Sequence, residues 1–136
     1  MSSERYERGW KQLVTVVGDG GERVIESLQG IAPDVGKHIV EFAFGDIYCR
    51  PGLNLKQRQL VTIGSLTSLG GSEPQLSGHI NAALNVGLTP DEIVEAIMHC
   101  SPFVGFPRVV NALALAKNIF EKRGVVFNRQ NDHEDE

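Results

Sequence analysis

Three features of this sequence predict an all-α fold. Apolar residues recur at the helical period in segment after segment, helix caps and stops punctuate those segments, and alternation at period two is nowhere sustained. The first helix spans residues 3–17, where Tyr6, Trp10, Leu13, Val14 and Val17 share a face and the glycines at 18, 20 and 21 stop it. A short second helix over 22–28 offers Val24, Ile25 and Leu28. The third begins at Pro33, which suits a first helical position because its missing N–H is not needed there. Its stripe is Val35, Ile39, Phe42, Ala43 and Ile47, and it stops before Arg50-Pro51-Gly52, a turn by composition.

The fourth helix opens on Asn54, with Gln57 completing a capping-box pattern, and runs through Leu60, Ile63 and Leu66 to Gly70-Gly71. Ser72 and Gln75 repeat the device for the fifth, with Pro74 in its first turn. Leu76, Ile80, Ala83 and Leu84 form its core face, and Gly87 closes it. Thr89-Pro90-Asp91-Glu92 is the clearest helix start in the chain, combining cap, first-turn proline and capping-box glutamate. Ile93, Ala96 and Ile97 follow on one face, and Pro102 is the expected end. The last helix begins near Pro107 and carries Val109, Val110, Leu113, Ala116 and Phe120 to Gly124; Val125-Val126 is a weak strand candidate. These segments amount to a compact bundle of about six to seven helices in one domain over residues 1–127. Apolar residues off the main faces (Val61, Val94, Leu115) suggest a second buried side and hence association between subunits.

The 136 residues carry 41% apolar and 22% charged side chains, ordinary globular usage. No apolar run approaches the ~20 residues of a membrane span, and the polar start does not resemble a secretory signal. With only Cys49 and Cys100 there is no disulfide framework, so the expected compartment is the cytoplasm. Residues 128–136 hold Arg129 against Asp132, Glu134, Asp135 and Glu136, a net of −3 out of the chain's −4. They read as an acidic, disordered tail, and the nearly neutral body without a basic stripe argues against nucleic acid as a partner.

Few residues stand out as carriers of chemistry. His79 lies at the edge of a core stripe; it reads either as a hydrogen-bonded boundary histidine or as a general acid or base, since imidazole titrates near neutrality. His99 at a helix end suits a capping role, and Cys100 beside it reads as a nucleophile or, more commonly for a lone cysteine, as a small inert hydrophobe. The histidines and cysteines lack metal-ligand spacing, so no metal site is expected. Arg50, Arg58 and Arg108 are candidates for carboxylate binding through the guanidinium fork, and Arg50 and Arg108 each adjoin a proline in a turn.

Longer strings then carry a resemblance. Phe42-Ala43-Phe44-Gly45 through Arg50-Pro51-Gly52-Leu53, Arg58 with Leu60-Val61-Thr62-Ile63, His79-Ile80 with Leu84-Asn85, Gly87, Thr89 and Glu92, and His99-Cys100-Ser101 with Gly105 and Pro107 occur in order. Together with Arg5-Tyr6-Glu7-Arg8-Gly9 they resemble the carboxymuconolactone decarboxylase family across residues 5–124. The resemblance implies an alkylhydroperoxidase D-like helical subunit assembled as a homotrimer or homohexamer. It also implies a cofactor-independent decarboxylase converting γ-carboxymuconolactone to β-ketoadipate enol-lactone in aromatic catabolism. The departing carboxylate of that substrate is vinylogous to the lactone carbonyl, so loss of CO2 leaves a delocalised furanolate and needs no metal or pyridoxal sink. On this reading His79 is the proton donor or oxyanion partner, and Arg50, Arg58 and Arg108 hold carboxylates. The scissile carboxylate then sits in a less polar pocket near Phe42, Phe44 and Phe103.

The dithiol peroxidases of the same superfamily use a CxxC pair before the histidine. Aligned on His79, those positions here are Ser72 and Gln75, and where an upstream glutamate is expected the chain holds Gln59 and Leu60, so that mechanism is excluded. The decarboxylases often have an arginine two residues before the histidine, where this chain has Ser77-Gly78. Arg108 also replaces a small residue. These departures leave open a different lactone or carboxylic acid as substrate, or a non-catalytic oligomeric binding protein that keeps the scaffold.

Overall fold

The computed structural model describes residues 3–127, and among them every regular element is helical. The tail expected over 128–136 lies outside the described residues. The elements are α1 (Glu4–Val17), α2 (Asp19–Leu28), α3 (Pro33–His38) running into a π-helical segment (Ile39–Ile47), α4 (Leu55–Leu69), α5 (Glu73–Asn85), α6 (Pro90–His99), the single turn α7 (Ser101–Val104) and α8 (Phe106–Lys122). No described helix is long and apolar enough to cross a membrane.

The capping boxes form at two of the three expected places. Asn54 and Gln57 bond reciprocally at the start of α4, as do Thr89 and Glu92 at α6. Ser72 does not cap α5. Its ψ is 36°, against 171° at Asn54 and 156° at Thr89, so the hydroxyl is not aimed at the N–H groups of the first turn. Pro102 sits in the first turn of α7 rather than ending a helix, and Val125-Val126 forms no strand.

The third helix departs most from its expected face. From Ile39 onward the backbone bonds reach five residues back, as in Tyr48 N–H to the Ala43 carbonyl at 2.9 Å. Each such turn takes up an extra residue and rotates the next residues out of the 3.6-residue register. Phe42 is consequently 58% exposed and Ile47 also faces outward, while Val40, Phe44 and Gly45 are buried; Val35, which precedes the π-helical segment, is exposed as well. α1 lies along this segment so closely that a Cβ at Gly9 would stand 1.9 Å from the Val40 carbonyl oxygen. Arg5 ties the pair together through Glu41 (3.0 Å) and Asp46, with Lys37 (3.9 Å) also on Glu41.

Two apolar clusters result. One gathers α4, α5, α6 and α8 around Ile63, Ile80, Ile93, Ile97 and Phe120. The other joins α1, α2 and the π-helical segment through Leu13, Val16, Ile25, Val40 and Phe44, meeting α5 at Ala82. Of the off-face residues, Val94 is buried within this chain, Leu115 packs partly against the first cluster, and Val61 is exposed.

Candidate active site

A cavity of about 870 Å³ opens along the seam between the two clusters. Its apolar wall comes from α1, α2 and the π-helical segment, chiefly Leu13, Val17, Ile25, Ile39 and Phe44. Its polar wall comes from Tyr48, from Thr62 on α4, and from α5. Ser77, Asn81 and Asn85 recur every fourth residue and so share one face of α5, while His79 lines the cavity from a different side of the helix.

His79 sits at the end of a chain of hydrogen bonds whose direction is fixed by its first donor, Thr62. Thr62 Oγ1 donates to the Arg58 carbonyl at 2.9 Å, the back-bond a helical threonine makes one turn up. Having spent its hydrogen, it accepts from the Tyr48 hydroxyl at 2.7 Å. The Tyr48 oxygen accepts from Gln59 Nε2 at 3.3 Å, which leaves Gln59 Oε1 to accept from His79 Nδ1–H at 3.2 Å. Each bond of the chain then runs in one sense. The network therefore assigns the proton of neutral His79 to Nδ1 and leaves Nε2 with no bond to a described residue.

Burial pushes the His79 imidazole below its ordinary 6.5, so near neutrality it is uncharged. Burial raises the Tyr48 phenol, against the opposing pull of the Thr62 and Gln59 bonds and the nearby Arg58 charge, so the hydroxyl stays protonated and able to donate. Gln59 is itself fully buried (0% exposed), as a residue holding two neighbours in register must be.

Of the residues expected at the site, His79 and Phe44 line this cavity, and Phe44 stacks on Tyr48 with ring centroids 4.8 Å apart. Arg58 stands just behind: Nη2 donates to the Arg50 carbonyl at 2.8 Å, its Nε is buried without a partner, and its charge reaches Tyr48. The structure does not bring the others in. Arg50 is exposed and contributes its carbonyl, and Arg108 lines a separate cavity of about 450 Å³ beside Gly70. Phe42 faces outward, and Phe103 is 76% exposed against His99. Cys100 is buried with its Sγ 3.4 Å from the Ala96 carbonyl, and Cys49 is half-buried. Among the described residues no three His, Cys, Asp or Glu side chains are placed to share a metal ion.

Sequence reasoning missed Tyr48, Gln59 and Thr62 as a unit, and Arg123. Gln59, Ile63 and Thr67 do recur every fourth residue on the buried face of α4, and a glutamine in such a stripe signals a buried partner. Arg123, at the end of α8, is also on the cavity wall, donating from Nη1 to the Asn81 carbonyl at 2.9 Å and its side-chain oxygen at 3.4 Å.

Comparison with known proteins identifies the family. The sequence profile of the carboxymuconolactone decarboxylase family matches residues 33–118. A 4-carboxymuconolactone decarboxylase of Acinetobacter baylyi is 36% identical over 129 residues, spanning 94% of this chain and 96% of the relative. A nitrosuccinic acid decarboxylase of Metarhizium robertsii is 33% identical over 123 residues, 85% of this chain and 84% of the relative. A 15.0 kDa protein of Paracoccus denitrificans is 35% identical over 97 residues, 71% and 72% of the two chains.

Proposed function

The chain belongs to the carboxymuconolactone decarboxylase family, and from that premise we propose that it is a cofactor-independent carboxy-lyase whose proton donor is His79. The observation that carries the reading is the polarised chain from Thr62 to His79. It holds one imidazole in one orientation at a cavity whose opposite wall is apolar.

The substrates in two relatives' names share a chemical core. In each, one carbon bears the scissile carboxylate, a CH2–COO⁻ arm and a group that accepts an electron pair: the unsaturated lactone in carboxymuconolactone, the nitro group in nitrosuccinate. We assign this chain a substrate of that type, with 4-carboxymuconolactone the first choice. The C–COO⁻ bond breaks, its electron pair moves through the ring double bond onto the lactone carbonyl oxygen, and CO2 departs. Electrostatic stabilisation of that oxygen and one proton delivered to the α-carbon complete the reaction. Free His79 is neutral, but the negative charges of a bound dicarboxylate favour its protonated form. Nδ1–H then stays on Gln59 while Nε2–H supplies the proton, and solvent restores it. Phe44 and its apolar neighbours surround the departing carboxylate with little that would hold its charge.

The test is to mix the protein with 4-carboxymuconolactone and follow ultraviolet absorbance and CO2 release. His79→Ala should lower turnover at least ~100-fold; unchanged turnover removes His79 from the mechanism. Nitrosuccinate as sole good substrate would move the assignment to the open-chain acid and keep the reaction type. We also carry forward the homotrimer or homohexamer, supported by Ile31, Phe42, Phe103 and Phe106, at 83%, 58%, 76% and 74% exposure, as apolar surface that association would cover. Sedimentation equilibrium distinguishes the assemblies.

A further inference from the structure

Among the described residues lining the His79 cavity, Arg123 alone carries a formal charge. It comes from the far end of α8 and reaches across to α5, where Nη1 is anchored on the Asn81 carbonyl and side chain. Asn81 is itself held by Nδ2 donating to the Ser77 carbonyl at 3.1 Å, so the anchor is part of the α5 face that lines the cavity. Only Nη1 is engaged; Nε and Nη2 make no hydrogen bond to a described residue. A planar fork with two free donor positions, opposite no carboxylate, matches an incoming carboxylate.

We propose that Arg123 is the substrate-binding residue that holds the carboxylate retained through the reaction, the CH2–COO⁻ arm, and so sets specificity for dicarboxylic substrates. The proposal rests on the decarboxylase reading above. The choice of carboxylate follows from the energetics. A cation paired with the scissile group stabilises a charge that leaves it as the bond breaks, which deepens the ground state and slows the step. Paired with the retained group, the same cation binds substrate and transition state alike and leaves the barrier intact. The cation is delivered from α8 to the face of α5 that carries Ser77 and Asn81.

A purely structural role is the competing account, since a cation at a helix C-terminus is favourable in itself. The experiment separates them. Full-length wild type, Arg123→Gln and Arg123→Lys are assayed with 4-carboxymuconolactone and with its monomethyl ester on the CH2–COO⁻ arm. In parallel, calorimetry measures binding of the saturated lactone dicarboxylate, which lacks the electron sink and cannot react. Arg123→Gln should raise KM for the diacid about tenfold to a hundredfold with kcat within about threefold, and Lys should recover part of the loss. For the ester, wild type and Arg123→Gln should have the same KM. An equal penalty on diacid and ester, or no penalty on either, overturns the proposal. If wild type binds the saturated dicarboxylate, Arg123→Gln binds it correspondingly less, and neither turns over the diacid, the clamp stands and the decarboxylase reading falls. Failure of wild type to bind the saturated dicarboxylate overturns the clamp.

Discussion

Consider the replacement of Gln59 by leucine, close in size and wholly apolar. The wild-type side chain is fully buried, accepts from His79 Nδ1–H at 3.2 Å and donates to the Tyr48 hydroxyl at 3.3 Å. Tyr48 loses little, because its own proton remains bonded to Thr62 Oγ1 at 2.7 Å. His79 loses the sole acceptor described for Nδ1–H, and a buried donor stranded in this way costs about 1–3 kcal/mol. The added apolar burial of leucine offsets part of that, leaving a net destabilisation of about 1–2 kcal/mol. For a domain of this size the melting temperature should fall by roughly 3–10 °C, read by circular dichroism. The larger effect is on the imidazole, which is freed to turn and to carry its neutral-state proton on Nε2. As a positioning residue Gln59 should therefore matter more to kcat than to KM, with kcat falling at least about tenfold. Gln59→Glu should differ in sign on one readout: a carboxylate facing Nδ1–H favours the imidazolium, so the His79 titration moves up in pH. Nitrogen-15 NMR reads the tautomer directly and needs no substrate. Wild type with Nε2 carrying the proton in the neutral ring, or Gln59→Leu with unchanged kcat, would refute the direction assigned to the hydrogen-bond chain.

The packing of α1 and the buried imidazole each lead to a further expected outcome. Gly9→Ala would gain about 1 kcal/mol from helix propensity alone, but the new Cβ would lie 1.9 Å from the Val40 carbonyl oxygen and 2.8 Å from its carbon, both backbone atoms that cannot swing aside. The net should be a loss of about 3 kcal/mol or more, seen in urea melts; a variant as stable as wild type would show that α1 and the π-helical segment do not pack this closely. As for pH, the His79 value is depressed in the folded chain, so below 6.5 the unfolded chain takes up the proton first and stability drops as pH falls toward the folded value. His79→Gln should flatten that stretch of the stability curve while leaving the acid loss at lower pH, where Asp46 and Glu92, both held below their ordinary values by hydrogen bonds from Arg5 and Thr89, are protonated.

The features legible in the chain divide from the rest by the range of the interaction. Asn54 with Gln57 and Thr89 with Glu92 are decided within four residues, and both boxes form. The Ser72 box has the right letters and fails because ψ at Ser72 is 36°, directly after a turn in which Gly70 and Gly71 both have positive φ. The face of the third helix differs from the expected one because a 3.6-residue count cannot foresee a π-helical run; its exposed Phe42 and buried Phe44 exchange the places expected of them on the stripe. His79 and Phe44 belong to the quoted motifs and do share a cavity. The contacts that give the cavity its chemistry join residues far apart in the chain, 20 positions between His79 and Gln59 and 42 between Arg123 and Asn81. No local pattern encodes such pairs. The trace they leave is a polar residue in an apolar stripe, as Gln59 is.

Placing the cavity at the seam between two cores explains how one small chain can offer both walls. The α1, α2 and π-helical cluster supplies side chains with no hydrogen-bonding capacity, and α4 with α5 supplies an ordered row of donors and acceptors. On the proposed reaction, a leaving carboxylate gains nothing from the first wall, and its charge disperses into the conjugated ring as CO2 departs, so the poor solvation it meets weighs on the ground state more than on the transition state. On the proposed mechanism the second wall does the reverse: Nε2–H of a single oriented imidazolium strengthens its hold as charge builds on the acceptor. Formal charge would upset this division if it stood between the walls. Among the described lining residues the charge is confined to Arg123, tethered to α5 through Asn81, where it can hold a carboxylate that does not react.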